Sequence, residues 1–486
     1  MSTTAHTHAA LIIGAGYGGL GMAAQLRRQG IDDFVVLEKS DRIGGVWRDN
    51  IYPGAACDTQ SHIYCFSFLL NLRVSRMYAE QPELLAYAHA LVDTFGLAPH
   101  LRFDAEVVAA TWNDSDGVWD VECADGRRFR ARVLIPAWGQ LGAPSIPDFP
   151  GIEDFRGTWF HSARWPEGLD LVGKRVASVG SAASAVQYVP RVADAAERLV
   201  VFQRSANYIL PRNQIVFDEQ QLDTFESDPE VFRASRDAIH RMREDGFARV
   251  TRGSDDNSAA VAEFFAHLDA HVTDPELRAK LVPDYEYGCK RILRSDDYLP
   301  ALARDNVEVE TERIERIEPH AIVTADGRRH EVDVIVMGTG FRSQAFHDRI
   351  VITGRSGTLS DRWGDAPEAY LGMAVDGFPN MFMIYGPNTN LNHNSVVSMM
   401  ELQQDYIVRA LRALEGRPGA VLEVRPEPLR AFVERVQDEL NSTAFVSDCS
   451  SWYKNADGRV INNWSGTVDD YRLATSSLEL HHYALA

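Results

Sequence analysis

Gly14, Gly16 and Gly19 fall where one apolar run ends, in LIIGAGYGGLG, and Glu38 closes a second apolar run, DFVVLE, about twenty residues later. Glycines at that spacing let the chain turn tightly and let a pyrophosphate approach backbone N–H groups at a helix start. A carboxylate at the later position accepts hydrogen bonds from ribose hydroxyls. A second set begins at Gly180: Ser181, Ala182, Ser184 and Ala185 fill the turn and the first helical positions. The next apolar run, LVVFQ, leads into Arg204 and Ser205. An acidic residue there repels a 2′-phosphate, whereas arginine grips it with a forked guanidinium. The first set therefore predicts the ADP half of FAD, and the second predicts NADPH. Ala182 stands where the middle glycine of the fingerprint would be, and alanine is the smallest substitute.

Each set needs a strand before the turn and a helix after it. AALII, the helical pattern to about Gln29 with its stop at Gly30, and DFVVLE supply these for the first. KRVASV, a helix from about Ala183, and LVVFQ supply them for the second. LIPAWGQL, from Leu134, and DVIVMGTGF, from Asp333, are apolar strands that end in small residues, as crossings between two such units would. The predicted fold is α/β, with two Rossmann-like dinucleotide-binding domains. The NADP domain (residues 151–335) is inserted into a discontinuous FAD domain (residues 1–150 and 336–486, the latter with a C-terminal segment). Residues 214–286 read as several short acidic helices, an elaboration of the NADP domain that covers its cleft. Near the end, Asn394 and Ser395 are helix-start signals, Met399, Leu402, Tyr406 and Leu414 form an apolar face, and Gly416 closes it.

The 486 residues are 45% hydrophobic, enough for two or three domains with ordinary cores, and the formal net charge is -20. That charge repels nucleic acid and anionic membrane as main partners. The N-terminus lacks the basic start and long apolar core of an export signal, and no apolar run approaches the roughly 20 residues of a membrane span. The five cysteines are scattered without a metal-type CxxC pair or a disulfide framework. A cytoplasmic protein in a reducing setting, with no metal site, is expected.

FRGTWFHSARWP, residues 155–166, fits neither helical nor strand periodicity. It resembles the FxGxxxHxxxWP signature of the type I Baeyer–Villiger monooxygenases at Phe155, Gly157, His161, Trp165 and Pro166. A second family pattern, GxWxxxxYPGxxxD, is matched at Gly45, Trp47, Tyr52, Pro53, Gly54 and Asp58. The resemblance extends through QRSANYILP, GCKR, VMGTGF and SWYKNADGRVINNW, nearly the whole chain. It implies that NADPH reduces FAD, that the reduced flavin forms a C4a-peroxide with O2, and that this inserts one oxygen beside a ketone carbonyl to give an ester or lactone. Arg291 in GCKR aligns with the family's active-site arginine, which also counts among the expected cofactor contacts, and Asp58 with the carboxylate that orients it. Lys290 aligns with a lysine at the NADP phosphate, beside Arg204 and Ser205. Gly45, Val46, Trp47, Asp58, Tyr64 and Val107 join the expected FAD contacts, and Trp452 matches a mobile segment that folds over nicotinamide and substrate. The signature segment is a domain linker in the family, and His161 is read as a hydrogen-bonded packing residue rather than a base.

Three other functions compete. A sulfur- or nitrogen-oxidising flavin monooxygenase needs no carbonyl-activating arginine. A disulfide reductase shares the two-nucleotide plan but carries a CxxxxC pair, and Cys57 and Cys65 are too far apart for one. A non-catalytic FAD-binding redox sensor is the third, raised by Ala182 and by Trp138, which stands where the family has a small residue.

Overall fold

A computed structural model describes residues 6–343, 350–417 and 419–485. Two parallel-centred sheets carry the architecture. In the first, Thr7–Ile13 lies between Phe34–Leu37 and Arg128–Pro136, parallel to both. Leu101–Arg102 extends one side, and Val118–Cys123, Val107–Asn113 and Val351–Thr353 extend the other. The second sheet runs Val307–Glu310, Arg198–Phe202, Arg175–Val179, Val334–Met337, Thr158–His161, all parallel. The central strands are apolar runs (LII, FVVL, VIVM) or, in RVASV, buried from Val176 to Val179 with one serine among them, as strands covered on both faces require. Because Val351–Thr353 belongs to the first sheet, the chain leaves that sheet after Pro136, builds the second, and returns.

The sequence reading of FRGTWFHSARWP as irregular is corrected here. Thr158–His161 is an edge strand, in register with Val334–Met337 from Thr158 opposite Val334 to His161 opposite Met337. An edge strand of four residues gives too short a run for periodicity to show. Phe160 packs on Trp165, and Trp165 on Tyr188, so the aromatic residues pin the segment to the second sheet's core. His161 is buried; its Nε2 lies 2.9 Å from the Gly340 carbonyl oxygen and its Nδ1 accepts from the Ala163 N–H.

The helical stretch also differs from expectation. Glu219–Ser227 and Pro275–Lys280 are short, but Pro229–Asp245 and Asp255–His271 each run 17 residues. Each of the four starts on a side-chain cap, from Asp218, Asp228, Ser254 and Asp274 respectively. The Pro229–Asp245 helix rests on residues 60–65, which follow the first sheet's glycine-rich segment, and not only on the second unit. Arg236 donates to the carbonyls of His62 and Cys65, and the His62 ring packs on Phe232.

Cys289 and Cys449 form a disulfide across 160 residues, while Cys57, Cys65 and Cys123 are buried free thiols. The scattered spacing gives no sign of this pair, because only the fold brings the two segments together. No helix among the described residues is long and apolar enough to cross a membrane.

Candidate active site

The two glycine turns are built alike. Gly14 has φ +105°, and a Cβ there would lie 2.7 Å from the Ala137 carbonyl oxygen at the end of the neighbouring strand. Gly180 has φ +107°, and a Cβ would lie 2.3 Å from the Gly338 oxygen. Each turn thus needs a left-handed backbone pressed against a crossing chain, which only glycine allows. The helices that follow, Tyr17–Arg28 and Ala183–Ala195, begin at Gly16 and Ala182, and neither start has a side-chain cap. Set beside the four capped helices above, these two starts leave their first N–H groups free for an anion. The backbone at Ala182 (φ -88°, ψ -162°) matches that at Gly16 (φ -84°, ψ -171°), so this position has no conformational need for glycine. Trp138 packs against the first sheet's core.

Glu38 is buried and accepts from the N–H groups of Ala15 (2.8 Å) and Ser40 (3.0 Å). It also pairs with buried Arg48, whose Nη1 lies 3.0 Å from Oε1. A carboxylate has about four acceptor positions, so one remains for a ribose hydroxyl. Arg48, which also holds Asp49, was not foreseen from sequence. Its place directly after Trp47 in the second signature was the only available sign. Gly45 and Val46 start the short helix Val46–Asp49. The rings of Trp47 and Tyr64 meet edge-on, 5.9 Å apart. Val107 is buried at the start of its strand.

At the second turn, Lys290 Nζ donates to Ser205 Oγ at 2.8 Å and lies over the Tyr285 ring. Burial and then the charge of nearby Arg204 hold the Lys290 ammonium below its ordinary pKa. Arg204 is exposed and has no carboxylate partner among the described residues. Ser181 adjoins both: its hydroxyl reaches the Ser205 carbonyl, and Asn207 donates to the Ser181 carbonyl. Ser184 and Ala185 occupy the first turn of the helix. Two cations and a hydroxyl thus stand together beside the second glycine turn, with no carboxylate in ion-pair contact among the described residues.

Between the two units stands Arg291. Its Nε and Nη2 donate to the two oxygens of Asp58 at 2.9 and 2.8 Å, a bidentate pair across 233 residues. Burial pushes the Asp58 carboxyl up, but Arg291, with Arg243 and Arg212, holds it below the usual range. Burial works against the Arg291 charge as well, and Asp58 overcomes it, so the guanidinium stays ionised. The remaining Nη1 points at the Leu391 carbonyl, 3.5 Å away.

Leu391 belongs to the loop GPNTNLNHN, which precedes the Val396–Leu414 helix, capped by the Ser395 side chain. In that loop Asn392 is notable: both polar atoms of its side chain are shut from water without a partner among the described residues. The loop is knitted to the C-terminal segment, since Asn388 and Asn390 donate from their N–H groups to Ile461 and Asn462. Trp452 sits on that segment, its carbonyl accepting from Asn462 and its ring 4.9 Å from that of Tyr453.

A Baeyer–Villiger monooxygenase of Streptomyces coelicolor is 40% identical over 484 residues, spanning 98% of this chain and 93% of that protein. The chain belongs to the Baeyer–Villiger monooxygenases. Residues 11–214 match the family described as pyridine nucleotide-disulphide oxidoreductase, which shares the nucleotide-binding plan. Among solved structures, the cyclohexanone monooxygenase from Rhodococcus sp. Phi1 bound to NADP+ aligns with a TM-score of 0.89 at 30% identity over 99% of each chain. OTEMO in complex with FAD and NADP aligns with a TM-score of 0.88 at 27% identity, again over 99% of each chain. As a Baeyer–Villiger monooxygenase the chain is an oxidoreductase with two Rossmann-like units, which sets aside the disulfide-reductase and sensor functions.

Proposed function

We propose that this Baeyer–Villiger monooxygenase carries out ketone oxygenation at Arg291, between a FAD site on the first sheet and an NADPH site on the second. The cofactors are FAD and NADPH. When bound, they supply the reducing equivalents and the activated oxygen. Residues 1–150 and 336–486 hold FAD, and residues 151–335 hold NADPH. For FAD, Gly14, Gly16 and Gly19 admit the pyrophosphate to the uncapped helix start, and Glu38 keeps one acceptor position for the ribose. Gly45, Val46, Trp47, Tyr64 and Val107 line the same side. For NADPH, Gly180, Ser181, Ala182, Ser184 and Ala185 form the pyrophosphate turn, while Arg204, Ser205 and Lys290 grip the 2′-phosphate. The uncapped helix starts, the cationic grip and the unpartnered Asn392 amide are the features into which the two cofactors fit.

The bidentate Arg291–Asp58 pair carries this reading. Asp58 fixes the plane of the guanidinium through two of its nitrogens, and Arg291 presents a permanent positive charge to the negative charge that develops on a substrate carbonyl oxygen. Arginine suits this place because no pH in the working range discharges it, and a charge held in place beforehand costs no reorganisation during reaction. Trp452, on the segment tied to the Asn388–Asn390 loop, closes over the substrate and excludes water. The substrate is a small ketone, with O2 as co-substrate. We place the enzyme in the cytoplasm, a setting that three buried free thiols support and the Cys289–Cys449 bridge opposes.

Purified yellow protein incubated with NADPH, O2 and a panel of ketones and sulfides tests the proposal. Ester or lactone products heavier than the ketone by one oxygen support it. Sulfoxides alone, with ketones returned unchanged, would overturn it.

A further inference from the structure

Arg243 stands on the Pro229–Asp245 helix two turns after Arg236, on the face that covers residues 60–65. Its Nε donates to Gln60 Oε1 at 2.6 Å, and Gln60 lies two residues beyond Asp58. No other hydrogen bond and no carboxylate engages its Nη1 and Nη2 among the described residues. Arg294 is similarly placed: its Nη1 donates to the Pro211 carbonyl at 3.1 Å, and no carboxylate pairs with it. Arg212 donates weakly from Nε to the Arg294 carbonyl and lies over the Tyr78 ring.

These groups share one neighbourhood. Arg243 and Arg212 both act on the Asp58 carboxylate alongside Arg291. Burial, and then the charge of Arg294, pull the Arg243 guanidinium down to about 10. Among the described residues, the carboxylates Asp58 and Asp296 act on these guanidiniums. Asp58 is committed to Arg291. Asp296 is committed to the N–H groups of Arg212, Asn213 and Gln214. A local excess of positive charge, partly withdrawn from water, is costly unless a counter-charge completes it. In a chain with a net charge of -20 it does not follow from general composition.

We propose that Arg243, backed by Arg212 and Arg294, is a subsite for an anionic group, a carboxylate carried on the ketone, so that the enzyme selects keto acids. The Nε–Gln60 bond fixes one edge of the guanidinium and leaves the Nη1/Nη2 edge, the two-nitrogen fork that a carboxylate accepts from bidentately. Arg291 cannot serve this purpose, since Asp58 occupies its fork. The inference rests on the ketone-oxygenation reading for the word "ketone" only; the anion site stands on Arg243 itself. A phosphate of NADPH offers the same chemistry, so the experiments are run with NADP+ or NADPH saturating.

The test uses the FAD-loaded enzyme with 5-oxohexanoate and its methyl ester. The parent should show a higher kcat/KM for the acid than for the ester. Arg243→Gln should cut that preference about tenfold or more, as expected for loss of a charge-assisted bidentate contact, and Arg243→Lys should restore part of it. Calorimetric titration of 5-oxohexanoate and of the ester into the parent enzyme with NADP+ bound reads the same preference without turnover and without a variant. No preference for the acid in the parent, or an equal loss of acid and ester activity in Arg243→Gln, would overturn the subsite. A rise in the NADPH KM of Arg243→Gln with the acid preference intact would reassign Arg243 to the cofactor and overturn it as well. If the acid binds in an Arg243-dependent way and no ketone is oxidised, the oxygenation reading fails while the subsite stands. If esters are oxidised and the acid does not bind, the reverse holds.

Discussion

The disulfide between Cys289 and Cys449 ties the loop that carries Lys290 and Arg291 to the segment that carries Trp452. Ser447 and Lys454 reinforce the same join: Lys454 Nζ lies 3.8 Å from Cys289 Sγ, and the Ser447 hydroxyl donates to Glu286. The proposed cation and the proposed cover are thus one mechanical unit, although 160 residues separate the bridged positions.

Cys449→Ser should therefore destabilise the fold by about 2–4 kcal/mol in denaturant titration, the usual range for a bridge closing a long loop. Hydrogen exchange over residues 447–455 should rise more than elsewhere. Thiol titration of unreduced, unfolded protein should find three free cysteines, and a count of five would remove the bridge and this prediction together.

Arg291→Ala should abolish ester formation while NADPH oxidation and NADPH binding persist, since Arg291 touches Asp58 and not the Ser205–Lys290 grip. Losing a preorganised charge from an oxyanion-stabilising position typically costs about 100- to 1,000-fold in kcat. Arg291→Lys should recover little, because a point charge cannot keep both Asp58 bonds and the Nη1 direction. Product yield per NADPH consumed is the measurement, and a parent-like yield in Arg291→Ala would end the assignment.

Arg204→Ala should raise the KM for NADPH far more than that for NADH, because only the former carries the 2′-phosphate that Arg204 would hold with Lys290. The preference for NADPH should fall by about tenfold or more. Equal changes in the two KM values would remove Arg204 from phosphate recognition.

Much of this framework was legible because it is local. The turns at Gly14 and Gly180 sit between an apolar strand and a helix within a single stretch of chain, so spacing alone predicts them. Arg291 and Asp58 could be named only through two motifs, since nothing in either neighbourhood announces a partner 233 residues away. What stayed hidden is long-range or short. Thr158–His161 is too brief and too aromatic to show alternation, and it becomes a strand by pairing with Val334–Met337. Arg48 reads as an ordinary helical arginine until Glu38 folds beside it, and Arg243 reads as one of four arginines on a helix with four carboxylates until Gln60 takes its Nε. Ala182 is the opposite case: the sequence raises a doubt about a missing glycine, and matched dihedrals at Gly16 and Ala182 remove its conformational part.

Glu244 joins three segments, and its charge makes that junction sensitive to acid. Its carboxylate accepts from Asn394 Nδ2 at 2.6 Å and from the N–H groups of Val468 and Asp469 at the start of the Val468–Ala474 helix, and His393 Nε2 lies 3.4 Å away. Burial pushes the carboxyl up, but His393 and these donors outweigh it and bring the folded pKa from 4.5 down to about 2. A depressed folded pKa means that the ionised form is the one that stabilises. The contribution is complete above the ordinary value of 4.5 and is lost as pH falls toward about 2. The shift corresponds to roughly 3 kcal/mol across that window. Glu244→Gln keeps the shape and removes the charge. It should lower stability near neutrality and flatten the fall in stability between about pH 5 and about pH 3, read by urea titration at each pH. A variant whose stability falls with acid as steeply as the parent's would show that Glu244 does not set that dependence.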